Sequence, residues 1–271
     1  MILVLLLVTD LTTGQEVSLS LAPAISTDQP AAASGKAGGV LWDQTHGVYL
    51  DYRLNGSFSI LRDTLIARGY TPETTAAGVN NIDLSPYRVI VLCLASNWNS
   101  PYTSAEADSL VAFVNRGGSL VVMGDNTGCP NGNLTPVLTR FNMLAGVGTP
   151  GDCITSTTAN PIYTSACGSA SGTISASSPS EVIAWSSGNP LMAGRCENNK
   201  GGVFLVGDIN IWDNSDIYNY NNMTLMKNVF DWASSPPCRP TDAAESPEPR
   251  PGLRVSPNPV KDFLSMSLPA G

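Results

Sequence analysis

One histidine and a few aspartates are the residues of this chain that could do acid–base chemistry. His46, the single histidine among 271 residues, follows an apolar run that ends at Asp43. Asp125 and Asp208 each follow a further apolar run and a glycine. A histidine flanked by carboxylates can accept and donate protons, and the same groups can hold a hard cation. These four residues are the catalytic candidates if the fold brings them together.

The same residues have a structural interpretation. Asp and Asn at strand ends commonly accept hydrogen bonds from loop N–H groups and cap the helices that follow. For Asp125, Asp208 and His46 this structural role is favoured over catalysis, and both interpretations stay open.

Polar and aromatic residues near the same strand ends are candidates for ligand binding. They are Asn97, Asn126, Asn210 and Trp212. Trp212, Tyr218 and Tyr220 could present an aromatic face to a glycan, although aromatic side chains beside a sheet more often pack on its core.

The segment DINIWDNSD, residues 208–216, is a candidate cation site. It places Asp208, Asp213 and Asp216 among other oxygen-bearing side chains. It lacks the glycine and the distal glutamate of an EF-hand loop, so an ordinary loop built from Asx turns is favoured. We therefore expect no cofactor, with calcium at these three aspartates as the alternative.

Composition narrows the classes of partner. Lys and Arg total 14 against 22 Asp and Glu, giving a formal charge of −8, and only 13% of residues are charged. Nucleic acids and anionic membrane surfaces need clustered Lys and Arg, so neither is an expected partner.

Six cysteines without any C-x-x-C pair indicate disulfides in an exported protein rather than a zinc site. They are Cys93, Cys129, Cys153, Cys167, Cys196 and Cys238. Four of them lie in loop-rich sequence, which leads us to predict the pairs Cys129–Cys153 and Cys167–Cys196. Cys93 lies inside an apolar run, where a buried free thiol is favoured.

Apolar periodicity predicts alternating strands and helices. Strands are expected at 40–42, 70–75, 87–95, 119–124 and 203–207. Helices are expected at 57–68, from 104 to Gly117, at 135–144 and at 224–233. A hairpin is expected at 181–185 and 190–195, with its turn at Gly188 and Asn189. Such alternation favours a mostly parallel sheet with right-handed crossovers, covered by helices on both faces.

The chain divides into five predicted segments. Residues 1–22 form a signal peptide-like segment, because the apolar run 1–8 is too short to span a bilayer, although a buried first strand is an alternative. Residues 23–39 form a linker, 40–235 the α/β domain, 236–251 a Pro-rich linker, and 252–271 the start of a further β-rich module.

The α/β domain resembles class I glutamine amidotransferase-like domains of the secreted branch. The matching stretches are 65–70, 87–126 with its GGSLVVMGDN, and 200–232 with its GGVFLVGDIN. The resemblance implies a three-layer sandwich with a flavodoxin-like sheet. The family's cysteine nucleophile does not carry over, because the strand ends in Met123-Gly124-Asp125, and His46 comes too early in the chain to be the family's histidine.

The tail LRVSPNPVKDFLSMSL resembles the opening of the C-terminal sorting domain of type IX secretion in Bacteroidota. The resemblance covers about 19 residues, and its most distinctive part is the run PNPVKDFL. It implies the type IX secretion machinery as a partner.

These observations lead to two functional expectations. The first is a secreted or cell-surface module, without catalytic activity and without a stable membrane span, that binds an extracellular protein or glycan through loops at the carboxyl edge of the sheet. The alternative is a hydrolase or metal-dependent enzyme that uses His46 with Asp43, Asp125 or Asp208.

Overall fold

The structure is a computed structural model that describes residues 38–47, 51–94, 99–158, 162, 164–198 and 200–234. Its strands are β1 Gly39–Asp43, β2 Thr71–Thr75, β3 Val89–Cys93, β4 Ser119–Met123, β5 Met143–Ala145, β6 Ser156–Thr157, β7 Ile174–Ala176, β8 Glu181–Ser186, β9 Asn189–Glu197 and β10 Gly201–Val206. Its α-helices are α1 Ser59–Ala67, α2 Ser104–Asn115, α3 Thr135–Leu138 and α4 Asn222–Ser234. Among these residues, no helix combines the length and apolarity needed to cross a membrane.

Eight strands form one sheet in the order β2-β1-β3-β4-β10-β9-β8-β6. The first five run parallel to one another, and β9, β8 and β6 extend the sheet as antiparallel strands. A separate pair, β5 and β7, is antiparallel. The predicted α/β fold with a mostly parallel sheet and a hairpin extension is confirmed.

The central strands are buried on both faces. Every residue of β3, β4 and β10 is inaccessible or nearly so, and their sequences VIVLC, SLVVM and GGVFLV are rich in branched apolar residues. Strands that are covered on both sides read as continuous apolar runs rather than alternating ones. That property is why these strands were predictable.

Helices cover the two faces of the sheet. The side chains of Arg68, after α1, and Asp231, in α4, form an ion pair, and Tyr70 packs its ring against Phe230. Helix α2 packs on β4 and β10 and against α3. Because β1–α1–β2 and β3–α2–β4 proceed in opposite directions along the sheet, right-handed crossovers place α1 and α2 on opposite faces. The result is a three-layer sandwich.

Two predicted boundaries are corrected. The helix expected at 135–144 ends at Leu138 and continues as a single 3-10 turn to Phe141. Asn142 then adopts a left-handed conformation with φ 56°, which ends the helical path and lets Met143–Ala145 pair as β5. The hairpin turn lies one residue earlier than predicted, at Ser187 and Gly188, where both φ values are positive.

The start of α1 is capped from a distant part of the chain. The helix begins after Phe58 without a local side-chain cap. Asn214 fills this role: its Oδ1 accepts from the Ile60 N–H at 3.0 Å, and its Nδ2 donates to the Gly56 carbonyl at 3.1 Å. This long-range contact fixes the β10–α4 loop against the start of α1.

We expect Asn214→Ala to lower the free energy of unfolding by about 1–2 kcal/mol, the usual cost of losing a helix cap. Urea unfolding followed by circular dichroism measures the change. Asn55→Ala is the matched control, since Asn55 is an exposed amide near the same helix, and among the described residues its side chain hydrogen-bonds to Arg62 at the surface. An equal loss in the two variants would contradict the long-range cap.

Candidate site at the carboxyl edge of the sheet

Asp208 follows β10 and is fully buried. Its Oδ2 accepts from the Ser169 N–H at 2.7 Å and the Ser171 hydroxyl at 2.7 Å, and its Oδ1 accepts from the Asn210 N–H at 2.7 Å. Burial raises the pKa of Asp208 to about 7 against the lowering effect of these hydrogen bonds. Both carboxylate oxygens are therefore used within the domain.

The segment 164–173 lies over the ends of β4 and β10, and glycines allow its close approach. A Cβ on Gly168 would collide with Asp208 Oδ2, and one on Gly172 would collide with the Asp125 carbonyl. The Gly172 N–H also donates to the Gly207 carbonyl at 2.6 Å. Because backbone occupies this position, the segment, here named the covering loop, fills the part of the edge beside Asp125 and Asp208.

A disulfide anchors the covering loop, and it corrects the predicted pairing. Cys153 is bonded to Cys167, and Cys129 is a free thiol. Cys196 is disulfide-bonded as well, but not to Cys167. The predicted pairs Cys129–Cys153 and Cys167–Cys196 are therefore wrong; loop-rich sequence located the bonded region but could not specify which cysteines meet. The buried free thiol expected at Cys93 is confirmed.

Asp125 belongs to a tight turn after β4. Its Oδ1 accepts from the Asn126 N–H at 2.6 Å and from Asn126 Nδ2 at 3.0 Å. Its own N–H donates to Asn131 Oδ1 at 2.9 Å. Burial raises the pKa of Asp125, so its charge is disfavoured despite these contacts. The favoured structural role of Asp125 and Asp208, as acceptors for loop N–H groups, agrees with this geometry.

His46 lies apart from these two aspartates and contacts Glu106. Its Nε2 is 3.0 Å from Glu106 Oε1, and both side chains are buried. The ring packs against Tyr102 with centroids 4.1 Å apart. Tyr102 donates its hydroxyl hydrogen to Asp43 Oδ2 at 2.7 Å, which brings Asp43 into the same cluster. The described contacts of His46 include neither Asp125 nor Asp208.

Thr103 fixes Glu106 in place. Thr103 and Glu106 form the capping box of α2, in which Glu106 Oε2 accepts from the Thr103 N–H and hydroxyl, both at 2.8 Å. Burial acts to raise the pKa of Glu106, but the hydrogen bonds from Thr103 and the contact with His46 outweigh it and lower that pKa. Glu106 is thus an ionised acceptor for His46.

Neither free cysteine resembles an activated nucleophile. Cys93 ends β3, and burial raises the pKa of its thiol strongly, with the Asp125 charge adding to the effect. Burial and Asp125 also raise the pKa of Cys129 to about 11. A nucleophilic cysteine needs a lowered pKa, so both thiols stay protonated at neutral pH.

The loop after β10 places its predicted residues in different environments. Trp212 is fully buried and stacks on Phe204 at 6.1 Å between ring centroids, so the proposal that it faces a glycan is wrong. Trp212 lies beyond the end of the buried strand β10, where side chains at the edge of the sheet are expected, but the 3-10 turn Asn210–Trp212 directs it into the core. Asn210 donates to Tyr52 Oη at 2.8 Å and to Asp213 Oδ2 at 3.0 Å.

Asp213 and Asp216 stabilise the same loop. Asp213 Oδ1 accepts from the N–H groups of Ser215 and Asp216, at 2.8 and 3.0 Å, and Asp216 Oδ1 accepts from Asn219. These are the Asx turns that the sequence favoured over a calcium loop. In the described part of the chain, no three His, Cys, Asp or Glu side chains are grouped to hold a metal ion. Asn97 lies outside the described residues.

Glu106 and Tyr102 are the site residues that the sequence interpretation missed. The pattern Thr103-Ser104-Ala105-Glu106 is a capping box and could have located Glu106. No sequence signal indicated that its second oxygen would meet His46, 60 residues earlier.

The protein is a three-layer α/β domain in which the covering loop fills part of the carboxyl edge of the sheet. No protein-family model and no curated protein matches the sequence. The solved mmIFT52 N-terminal domain is similar, with a TM-score of 0.61 and 13% identity over 72% of this chain and 97% of that domain. A cytoplasmic protein from Salmonella typhimurium is similar with a TM-score of 0.52 and 14% identity, over 72% of this chain and 98% of that one. At such identities these likenesses show a shared fold alone.

A putative ThuA-like protein from Bacteroides uniformis also aligns, with a TM-score of 0.47 and 14% identity, over 76% of this chain and 96% of that one. A score at this level supports no conclusion about this chain.

We expect the double substitution Cys153→Ser and Cys167→Ser to lower the free energy of unfolding by about 3 kcal/mol. The two cysteines are 14 residues apart, and closing a loop of about 15 residues is worth about 3 kcal/mol. Urea unfolding measures the loss, with Cys129→Ser as the control because that thiol is free. Peptide mapping that finds Cys129 bonded to Cys153 would contradict the observed pairing.

We expect the stability of the protein to fall as pH rises from about 4 to about 7, and Asp208→Asn to flatten this slope. The folded state raises the Asp208 pKa from 3.8 to about 7, so it holds a proton that the unfolded chain has released. The contribution is present below pH 4 and is lost through pH 7, amounting to at most about 4 kcal/mol.

Urea unfolding at several pH values gives the slope for wild type and variant. Asp63→Asn is the control, because Asp63 is exposed. Glu106 contributes with the opposite sign, since its pKa is lowered, so the difference between variant and wild type is the informative quantity. An unchanged slope in Asp208→Asn would refute the assignment.

Proposed function

We propose that the chain is an exported module, secreted or held at the cell surface, that binds an extracellular protein or glycan through loops at the carboxyl edge without converting it chemically. The observation that carries this proposal is the filled edge. Both oxygens of Asp208 and Oδ1 of Asp125 accept hydrogen bonds from their own chain, and the covering loop occupies the space above them. In open α/β sheets, ligands bind in the crevice at the carboxyl ends of the strands, and beside Asp125 and Asp208 this space is occupied by backbone.

The loop between β10 and α4 is the proposed binding surface. Tyr218 and Tyr220 are 69% and 74% exposed, whereas aromatic side chains in the rest of the described chain are more covered. Tyr220 also adopts a left-handed conformation with φ 49°, which is unfavourable for a bulky residue. An exposed ring held at a conformational cost is typical of a recognition site.

The backbone that carries these tyrosines is held firmly. Asn222 Nδ2 donates to the carbonyls of Asp216 and Cys167, at 2.9 and 2.7 Å, which ties the loop to the disulfide-anchored covering loop. Asn221 Nδ2 donates to Ser165 Oγ at 2.7 Å. A surface that is already ordered loses little entropy on binding, which favours recognition.

Tyr218 also borders an open groove between α1 and α4. The groove has a volume of about 430 Å3, and its lining residues are Ile60, Asp63, Thr64, Ala67, Arg68, Tyr218 and Lys227. Its mixed apolar and charged lining suits a protein or a glycan better than a small apolar ligand.

Export is supported by the cysteines and by the sequence at both ends. Disulfides form and persist in oxidising compartments. The N-terminal apolar run and the tail that resembles a sorting domain, both outside the described residues, suggest a signal peptide and the type IX secretion machinery as the route. The resemblance to secreted amidotransferase-like domains supports the same placement, with the glutaminase cysteine absent.

The alternative enzyme would use His46 with Asp43, Asp125 or Asp208. Only Asp43 lies in the cluster of His46, and it is linked through the Tyr102 hydroxyl rather than directly. The favourable part of this alternative is the His46–Glu106 contact, which resembles the pairing of a general base with an orienting carboxylate.

Replacing both Tyr218 and Tyr220 with alanine tests the binding surface. The purified wild-type protein is passed over immobilised polysaccharides and extracellular proteins, and bound partners are checked for chemical change by mass spectrometry. For a partner that binds, we expect the double variant to bind at least tenfold more weakly, a loss of about 1.4 kcal/mol.

Val147→Ala is the matched control, since Val147 is a large apolar residue, 52% exposed, far from this loop in sequence. Unchanged binding in the tyrosine variant would mean that the binding surface is not formed by Tyr218 and Tyr220 and lies elsewhere on the carboxyl edge. Hydrolysis of a bound partner that stops in His46→Ala would favour the enzyme.

A further inference from the structure

Cys196, near the end of β9, is disulfide-bonded, and elimination identifies its partner. Four other cysteines are already accounted for, two in a bond with each other and two as free thiols: Cys153, Cys167, Cys93 and Cys129. The chain contains six cysteines, so the one that is left is Cys238. Cys238 lies outside the described residues, but the described neighbours of Cys196 decide whether the chain can bring the two together.

The side chain of Cys196 lies on the face of the sheet that α4 covers. Cys196 is opposite Gly202 in the antiparallel pair of β9 and β10, and directly opposite residues direct their side chains to the same face. A Cβ on Gly202 would collide with the Trp232 ring, so this face is the one under α4. The preceding residue of β10, Gly201, faces the other way, since a Cβ there would collide with the Val114 carbonyl in α2. Cys196 therefore lies beside the last turns of α4.

The chain that follows α4 has the length and composition to reach this position. Cys238 is four residues beyond Ser234, the last residue of α4. An extended chain spans about 3.3–3.6 Å per residue, or about 13–14 Å over four residues, and bonded cysteines have Cα atoms about 4.4–6.8 Å apart. Pro236 and Pro237 favour such an extended path, because proline cannot continue a helix and restricts the residue before it to extended backbone. Cys238 is therefore within reach of Cys196.

We propose that Cys196 and Cys238 form a second disulfide that anchors the end of α4, and the start of the Pro-rich segment 236–251, at the amino edge of the sheet. The edge follows from β10, because Cys196 pairs with the second residue of that strand. Tyr218 and Tyr220 follow the other end of β10, at the carboxyl edge. The bond therefore makes the chain after α4 leave the domain at the end away from these tyrosines. This inference goes beyond the proposed function and does not depend on it.

Formation of the bond needs an oxidant, and the disulfide of a thiol oxidoreductase is the chemical class that fits. The Cys238 thiolate attacks one sulfur of that disulfide, which forms a mixed disulfide and releases one thiolate of the oxidant. The Cys196 thiolate then attacks the Cys238 sulfur and displaces the second thiolate. The two cysteines lose two protons and two electrons in total, and the oxidant is reduced to a dithiol. Oxidising compartments supply such oxidants, in keeping with the proposed export.

Peptide mapping without reduction tests the bond, because trypsin separates the two cysteines. The full chain, exported from an expression host, is treated with iodoacetamide and digested in mildly acidic buffer, which prevents disulfide exchange. Two arginines beyond Cys238 precede proline and are not cleaved, so Cys238 is found in peptide 228–254 and Cys196 in peptide 196–200. We expect these two peptides to be joined until a reductant is added. Alkylation of either cysteine, or a bond between two copies of the chain on a non-reducing gel, would overturn the inference.

Amide hydrogen exchange tests whether the bond holds α4. The double variant Cys196→Ser and Cys238→Ser leaves no stray thiol, and Cys129→Ser is the matched control because that thiol is free. In the double variant we expect exchange of 231–234 to be about tenfold faster or more, since a helix end released from its anchor opens locally. Exchange of 216–222, at the carboxyl edge, is expected to stay unchanged, and the control is expected to match wild type in both segments. Unchanged exchange of 231–234 in the double variant would refute the anchoring role.

Discussion

Asp208 is a fully buried side chain whose three hydrogen bonds join the end of β10 to the covering loop and to the start of the loop that follows β10. Two of its donors, Ser169 and Ser171, belong to the covering loop, and the third, the Asn210 N–H, begins the 3-10 turn that buries Trp212. Removing one partner from a buried carboxyl group leaves an unpaired polar atom, which is costly. The position of the covering loop and the direction of the following loop therefore depend on the same side chain.

The elements best predicted from sequence are those whose burial is uniform. Strands β3, β4 and β10 are covered on both faces and appear as continuous apolar runs. Weak elements such as β5 and β6 contain two or three residues and owe their conformation to pairing with distant strands. Local sequence propensity does not depend on such distant pairings. For this reason the helix predicted at 135–144 extends past Asn142, where the chain in fact turns.

The candidate site shows the same division between local and long-range information. Strand-end aspartates were found because a parallel sheet collects its carboxyl ends at one edge. Which carboxylate meets His46 depends on the paths of the loops. The carboxylate that contacts His46 is Glu106, which the sequence indicates only as a helix-capping residue. The disulfide pairing failed for a related reason, because spacing among six cysteines does not encode which pairs come together.

Asn214 has a consequence for how the chain folds. Helix α1 depends on an amide that lies 154 residues further along the sequence, and β4 pairs with β10 across the β-hairpin region. Contacts of such long range raise the entropy cost of the folding nucleus and slow folding. The first half of the domain, emerging alone, would have an uncapped α1 and an unpaired edge on β4. The cap of α1 and the pairing of β4 with β10 can therefore form only after nearly all of the domain is available to fold.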